Sequence, residues 1–64
     1  MTVNILEVGT KLVDEYGVWV VTLVTEYQDD EDESVSIWYD VRHIGSNTEV
    51  VLYHEDIGTR MKLA

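Results

Sequence analysis

"VWVVTLVTEY" (residues 18–27), "QDDEDES" (28–34) and "VSIWYDVRH" (35–43) follow one another without interruption, and their reading decides the fold. The third piece alternates strictly. Val35, Ile37, Tyr39, Val41 and His43 share one face, and Ser36, Trp38, Asp40 and Arg42 share the other. That period of two marks a strand with the first set turned to the core. Trp38 is then left on the polar face. The first piece is apolar on both alternating sets: Val18, Val20 and Val24 on one, Trp19, Val21, Leu23 and Tyr27 on the other. A strand buried on one face alone would alternate cleanly. A long bent strand shared by two halves of a small barrel accounts for the mixture, because each half needs its own inward face. Between the two strands stand five consecutive acids, Asp29, Asp30, Glu31, Asp32 and Glu33. Adjacent like charges repel and prefer water. The run is therefore expected as a solvated connection between antiparallel strands, and a binding surface is the competing reading.

Turn signals cut the rest of the chain into similar lengths. They fall at Gly9-Thr10, at Asp14 to Gly17, at Gly45 to Thr48 and at His54 to Gly58. "TKLV" (10–13) opens the strand series with Leu12 inward. "EVVLY" (49–53) is the fourth strand. "HEDIG" (54–58) is too short for an α-helix and suits one 3₁₀ turn. "TRMKL" (59–63) closes the chain, with Met61 and Leu63 inward and Arg60 and Lys62 outward, and "VNIL" (3–6) adds an edge segment. The expected fold is all-β: a five-stranded antiparallel barrel of SH3-like type, with a short 3₁₀ turn before the last strand. One small domain over 1–64 accommodates it.

A chain of 64 residues must offset roughly 100 kcal/mol of conformational entropy, at about 1.5 kcal/mol per residue. It has no cysteine, so neither a disulfide nor a thiolate metal site contributes. One apolar core has to suffice, or a homodimer interface has to help. Absence of cysteine fits the cytoplasm. No apolar run is long enough to span a membrane, and "MTVNILEVG" (1–9) lacks the basic region of a secretory signal. Thirteen acids against four bases give a net charge of −9. Such a field repels nucleic-acid phosphate and anionic membranes. It attracts a protein with a basic surface and makes the encounter salt-sensitive.

Few constellations suggest chemistry. Nucleophilic catalysis needs an activated Ser, Cys or Thr beside a base. The only histidines are His43 and His54, and no serine stands in a nucleophile-elbow pattern. No enzyme activity is expected, and no cofactor. "HED" (54–56) lacks the second histidine of the two-histidine zinc motif. "DDEDES" (29–34) lacks the spaced oxygens and the glycine of a calcium loop. No metal site is expected.

Four stretches carry a family likeness: "VGTKLV" (8–13), "YGVWVV" (16–21), "IWYDVR" (37–42) and "EDIGTRMKL" (55–63). In order and character the chain resembles the Tudor and related barrels of the SH3-like group, over most of residues 8–63. That resemblance implies an aromatic cage for a methylated cation, with Trp19 and Tyr39 as candidates and Tyr16 on the adjoining turn. By alternation, however, Tyr39 falls on the inward face, and the Asp-Tyr-Gly stretch typical of such cages is missing. In size and acidity the chain is also similar to accessory proteins of bacteriophages, some of which inhibit host factors by imitating the charge of DNA. On that likeness it is a small acidic interaction protein in a bacterial host's cytoplasm. Its partner-binding residues are Asp29, Asp30, Glu31, Asp32, Glu33, Trp38 and Asp40. The alternatives are an aromatic peptide-reading module around Trp19 and Trp38, and an assembly subunit joined through an open sheet edge.

Overall fold

A computed structural model of the chain describes residues 5–64. Its elements are β1 (Lys11–Asp14), β2 (Gly17–Gln28), β3 (Val35–His43), β4 (Glu49–Tyr53), a 3₁₀ turn (His54–Asp56) and β5 (Lys62–Leu63). The turns that join them fall where Gly, Asn, Asp and Ser cluster in the sequence. All five strands belong to one antiparallel sheet in the order β4-β3-β2-β1-β5. Past the 3₁₀ turn, Ile57 and Met61 form an isolated parallel bridge. No ladder joins β4 to β5 among the described residues, so the sheet is open. No helix is long and apolar enough to cross a membrane among those residues.

The core lies on one face of this curved sheet. Leu12, Trp19, Val21, Tyr39, Val41, Leu52 and Met61 are buried, with Leu6, Val24, Ile37, Val50 and Ile57 packed against them. The strict alternation of β3 supplies Tyr39 and Val41, as expected. For β2 the reason for its two-sided apolar pattern is local. The β2–β3 register runs Val21 with Val41, then Leu23 with Asp40, so Thr22 is an extra residue. Its hydroxyl donates to the Asp40 carbonyl at 3.1 Å. A bulge of this kind reverses which alternate residues face inward. Trp19 and Val21 face the core before it and Val24 after it, while Leu23 and Tyr27 turn to the opposite, outer face.

Beyond the bulge β2 and β3 outrun their neighbours. β4 ends with Tyr53 opposite Trp38, and β1 begins with Lys11 opposite Val20. The β2–β3 ladder continues to Gln28 opposite Val35 as a two-stranded arm, and the molecule measures 40 × 20 × 16 Å.

Three expectations need correction. Val35 was placed inward but lies 54% exposed, because at the arm's end nothing covers its face. Leu63 keeps Leu12's face by register, yet it ends the edge strand and is 58% exposed. Of the expected edge segment 3–6, Val3 and Asn4 fall outside the described residues. Ile5 and Leu6 are not in a strand, and the Leu6 amide instead donates to the Tyr39 hydroxyl at 3.1 Å.

Candidate functional site

The five acids occupy the tip of the arm. The Asp29 amide donates to the Ser34 carbonyl at 2.9 Å, and the Glu33 amide donates to the Asp29 carbonyl at 3.0 Å. Glu33 takes a left-handed backbone, φ 59°. Two carboxylates fold back on the turn. Asp29 Oδ1 accepts from the Glu31 amide at 2.9 Å. Asp32 Oδ1 accepts from the Ser34 amide at 3.0 Å and from its hydroxyl at 2.7 Å. These are the side-chain turns that Asp forms with the backbone two residues on. The run is thus a closed hairpin turn whose residues 30–33 remain exposed to solvent.

The Ser34 amide and hydroxyl, in that order, hold the Asp32 carboxyl below the ordinary value of 3.8. A carboxyl whose folded pKa is depressed contributes stability above its unfolded pKa and loses it as pH falls through the folded one. The turn should therefore loosen only below the usual Asp range. Carboxyl chemical shifts followed against pH should place the Asp32 midpoint under 3.8. Ser34→Ala removes the hydroxyl bond and should move that midpoint back up. An unmoved midpoint in the variant would show that the hydroxyl bond does not form in solution.

Trp38 and Asp40 stand on the outer face of β3, with Arg42 beyond them. Cross-strand neighbours make a row of Tyr53, Trp38 and Thr25, and beside it a row of Val51, Asp40 and Leu23. Trp38 is half-buried against Tyr53, with ring centroids 6.4 Å apart in an edge-to-face arrangement. Leu23, Tyr27, Val51 and Tyr53 are all exposed around it. The structure therefore joins Trp38 and Asp40 in one outer patch, while Asp29 to Glu33 lie further out along the same hairpin. Three residues of β3 at about 3.4 Å each separate Trp38 from Val35, where the arm ends. Sequence reasoning missed Val51, Tyr53, Leu23 and Tyr27. The alternation of "EVVLY" would have put Val51 and Tyr53 on Trp38's side once the β3–β4 register was known.

The two tyrosines and the tryptophan suggested for a cage do not come together. Tyr39 is fully buried, and its hydroxyl, which accepts from the Leu6 amide, is hydrogen-bonded to His54 Nδ1 at 2.7 Å. Trp19 is 6% exposed, and its indole N–H donates to Asp14 Oδ1 at 2.8 Å. Tyr16 alone is open to solvent. A shallow cavity of about 410 Å³ does lie beside Trp19 and Tyr16, with His43 in its wall. His43 Nδ1 accepts from the Gly45 amide at 3.2 Å, which leaves the ring proton on Nε2 to be donated to the Tyr16 carbonyl at 2.7 Å. Its ring meets Trp19 edge-on at 4.9 Å. His43 and Trp19 thus tie the turn before β2 to the turn after β3, a sufficient structural role for both.

Of the four bases, Arg42 pairs with Glu49 at 3.0 Å and Arg60 with Asp56 at 3.7 Å. Lys11 and Lys62 sit on β1 and β5, on the far side of the sheet from β4. Residues 22–41, from the bulge through the whole arm, hold Glu26, Asp29 to Glu33 and Asp40 and not one Lys or Arg. No group of His, Cys, Asp or Glu side chains with metal-holding geometry occurs among the described residues. No family model matches the chain, and searches of curated proteins and of solved structures found no similar protein.

Proposed function

We propose that this chain is a small acidic, non-enzymatic interaction protein that binds a protein with a basic surface through its β2–β3 arm. One observation carries the reading: all the charge of the arm is negative, and five of its seven carboxylates are held at the tip of a projecting hairpin. Carboxylates distributed along a thin ribbon reach into a basic groove that a compact globule would only touch at its rim. The outer patch of Trp38, Tyr53 and Leu23 lies behind the tip, and an aromatic anchor of this kind supplies the salt-resistant part of an interface. Strand order and the 3₁₀ turn before β5 favour an SH3-like small barrel as the scaffold. Acidity and size favour an accessory protein of bacteriophage type, acting in a bacterial cytoplasm as an inhibitor that imitates the charge of DNA. In this reading direct nucleic-acid binding has no part.

Neutralising the tip tests it. Asp29→Asn, Asp30→Asn, Glu31→Gln, Asp32→Asn and Glu33→Gln together keep the shape and remove five charges. With a lysine-rich peptide as probe, the association rate should fall about tenfold or more at low salt, within the usual range of electrostatic steering. The difference should close as the Debye length shrinks below about 10 Å. Stopped-flow tryptophan fluorescence at two ionic strengths measures both. Unchanged rates would remove the tip from the binding surface.

A further inference from the structure

The arm leaves part of a sheet edge without a partner, and that edge has the form of a strand-binding site. In the β3–β4 ladder the His43 amide donates to the Thr48 carbonyl at 2.8 Å. Antiparallel pairs alternate between bonded and non-bonded, so Val41 with Val50 and Tyr39 with Leu52 are the next bonded pairs. The odd-numbered residues of β3 thus direct their N–H and C=O toward β4. Ile37 and Val35 continue that series, but β4 has ended at Tyr53 and the chain has turned aside into the 3₁₀ turn. The Trp38–Tyr53 pair that ends the ladder is a non-bonded one, so it brings the His54 amide to the Ile37 carbonyl. The Ile37 N–H and both backbone groups of Val35 lie beyond that contact, and no turn hydrogen bond among the described residues reaches them. A groove of about 390 Å³ occupies the place β4 would have taken, lined by Val35, Ser36, Ile37, Tyr53, His54 and Glu55.

We propose that this groove accepts an extended segment of a basic partner protein as an added strand, paired with Val35 and the Ile37 amide of β3. The inference rests on the reading of the arm as a surface for a basic protein and names how that partner docks. Main-chain hydrogen bonds hold such a strand and alternate side chains give it specificity. Here the alternation is legible. On the inner face the incoming side chains meet Val35, more than half exposed, and Ile37, half-buried. Glu26 stands cross-strand from Ile37 on that face. Glu55 walls the groove at one end, and the acidic turn closes the other, with Glu33 two residues before Val35. An apolar residue flanked by lysines or arginines suits those neighbours. A second copy of this chain does not: each copy carries −9, and like-charged arms would lie side by side.

A nine-residue peptide of alternating Val and Lys serves as probe, with two N-methylated forms. One is methylated on alternate amides of one edge, the other on alternate amides of the opposite edge. An added strand uses one edge only, so one methylated form should bind about fivefold more weakly or worse, at roughly 1 kcal/mol for the hydrogen bond lost to the Val35 carbonyl. The other form should bind as the parent does. In the complex the Ile37 amide should gain hydrogen-exchange protection, with the core amides unchanged. Equal binding of both methylated forms, without protection at Ile37, would overturn the strand and leave only diffuse charge attraction. Protection of Ile37 that rises with protein concentration in the absence of peptide would overturn it in favour of self-association. Failure of the parent peptide to bind even at low salt would instead bring down the reading of the arm itself.

Discussion

Leu52→Ala should lower the free energy of unfolding by about 2–5 kcal/mol, the usual cost of emptying a fully buried leucine site. Leu52 is completely buried and stands opposite Tyr39 on the core face. At about 0.05–0.15 kcal/mol per residue, a chain of this length holds only about 3–10 kcal/mol in all. The substitution therefore removes a large share, and the variant should be partly unfolded at physiological temperature. Its neighbour gives the internal control. Val51 points to the outer face and is about half exposed, so Val51→Ala should stay within about 0.5 kcal/mol. Ile37→Ala should fall between the two, because Ile37 is only half-buried where the arm leaves the core. Urea titrations of the three variants, compared at constant slope, measure the order. The reverse order for Leu52 and Val51 would mean that β4 pairs one residue out of step, since such a slip exchanges the two faces of a strand.

Gly17→Ala should be the most damaging change outside the core. Gly17 has φ +124°, a backbone that side chains rarely adopt, and a Cβ there would stand 3.1 Å from His43 Nε2. Holding a non-glycine residue in such a region costs about 1–3 kcal/mol before any clash is counted. His43 cannot yield freely, for its Nε2–H donates to the Tyr16 carbonyl and its ring rests against Trp19. A Cβ built at Gly45 would likewise stand 3.2 Å from His43 Cε1, so both turns need glycine where they meet the ring. A double-mutant cycle separates the two contributions. In a His43→Ala background the contact disappears and the backbone strain remains, so Gly17→Ala should cost less there but still about 1 kcal/mol or more. Thermal melts of the four proteins give the cycle. A Gly17→Ala protein as stable as the parent would show that the turn before β2 takes another shape.

Much of this architecture could be read from the residues. The turns at Asp14 to Gly17 and at Gly45 to Thr48, the strict alternation of β3 and the 3₁₀ turn at His54 are local signals, and local signals survive folding. Leu12, Tyr39, Val41 and Met61 took the inward positions that alternation assigned them. Val35 and Leu63 did not become buried, because alternation gives the side of the sheet and not whether anything lies over it. The bulge at Thr22 was concealed by apolar residues on both sides of "VWVVTLV" (18–24). The pattern showed that the strand serves two faces, but not where the change occurs. The outer patch depended on the β3–β4 register, which no single strand specifies. The acidic turn was half legible: Asp29 and Asp32 each precede by two residues the amide they bind, yet five adjacent charges masked that turn chemistry.

The Tyr39–Val24 pair, just past the bulge at Thr22, separates two lengths that evolution or design could vary independently. Up to that pair the strands are fixed by the seven buried side chains. On the other side, a matched insertion of two residues in each strand of the arm would move the acidic tip outward by about 7 Å, at 3.4 Å per residue. Every side chain would keep its face, and no core contact would change. One residue in each strand would instead invert the arm and turn the faces of Ile37 and Trp38 about. The reach of the charge is therefore adjustable in steps of about 7 Å, like the graduated arm of a caliper. Relatives of this chain that address deeper or shallower grooves would be expected to differ in arm length by even numbers of residues per strand.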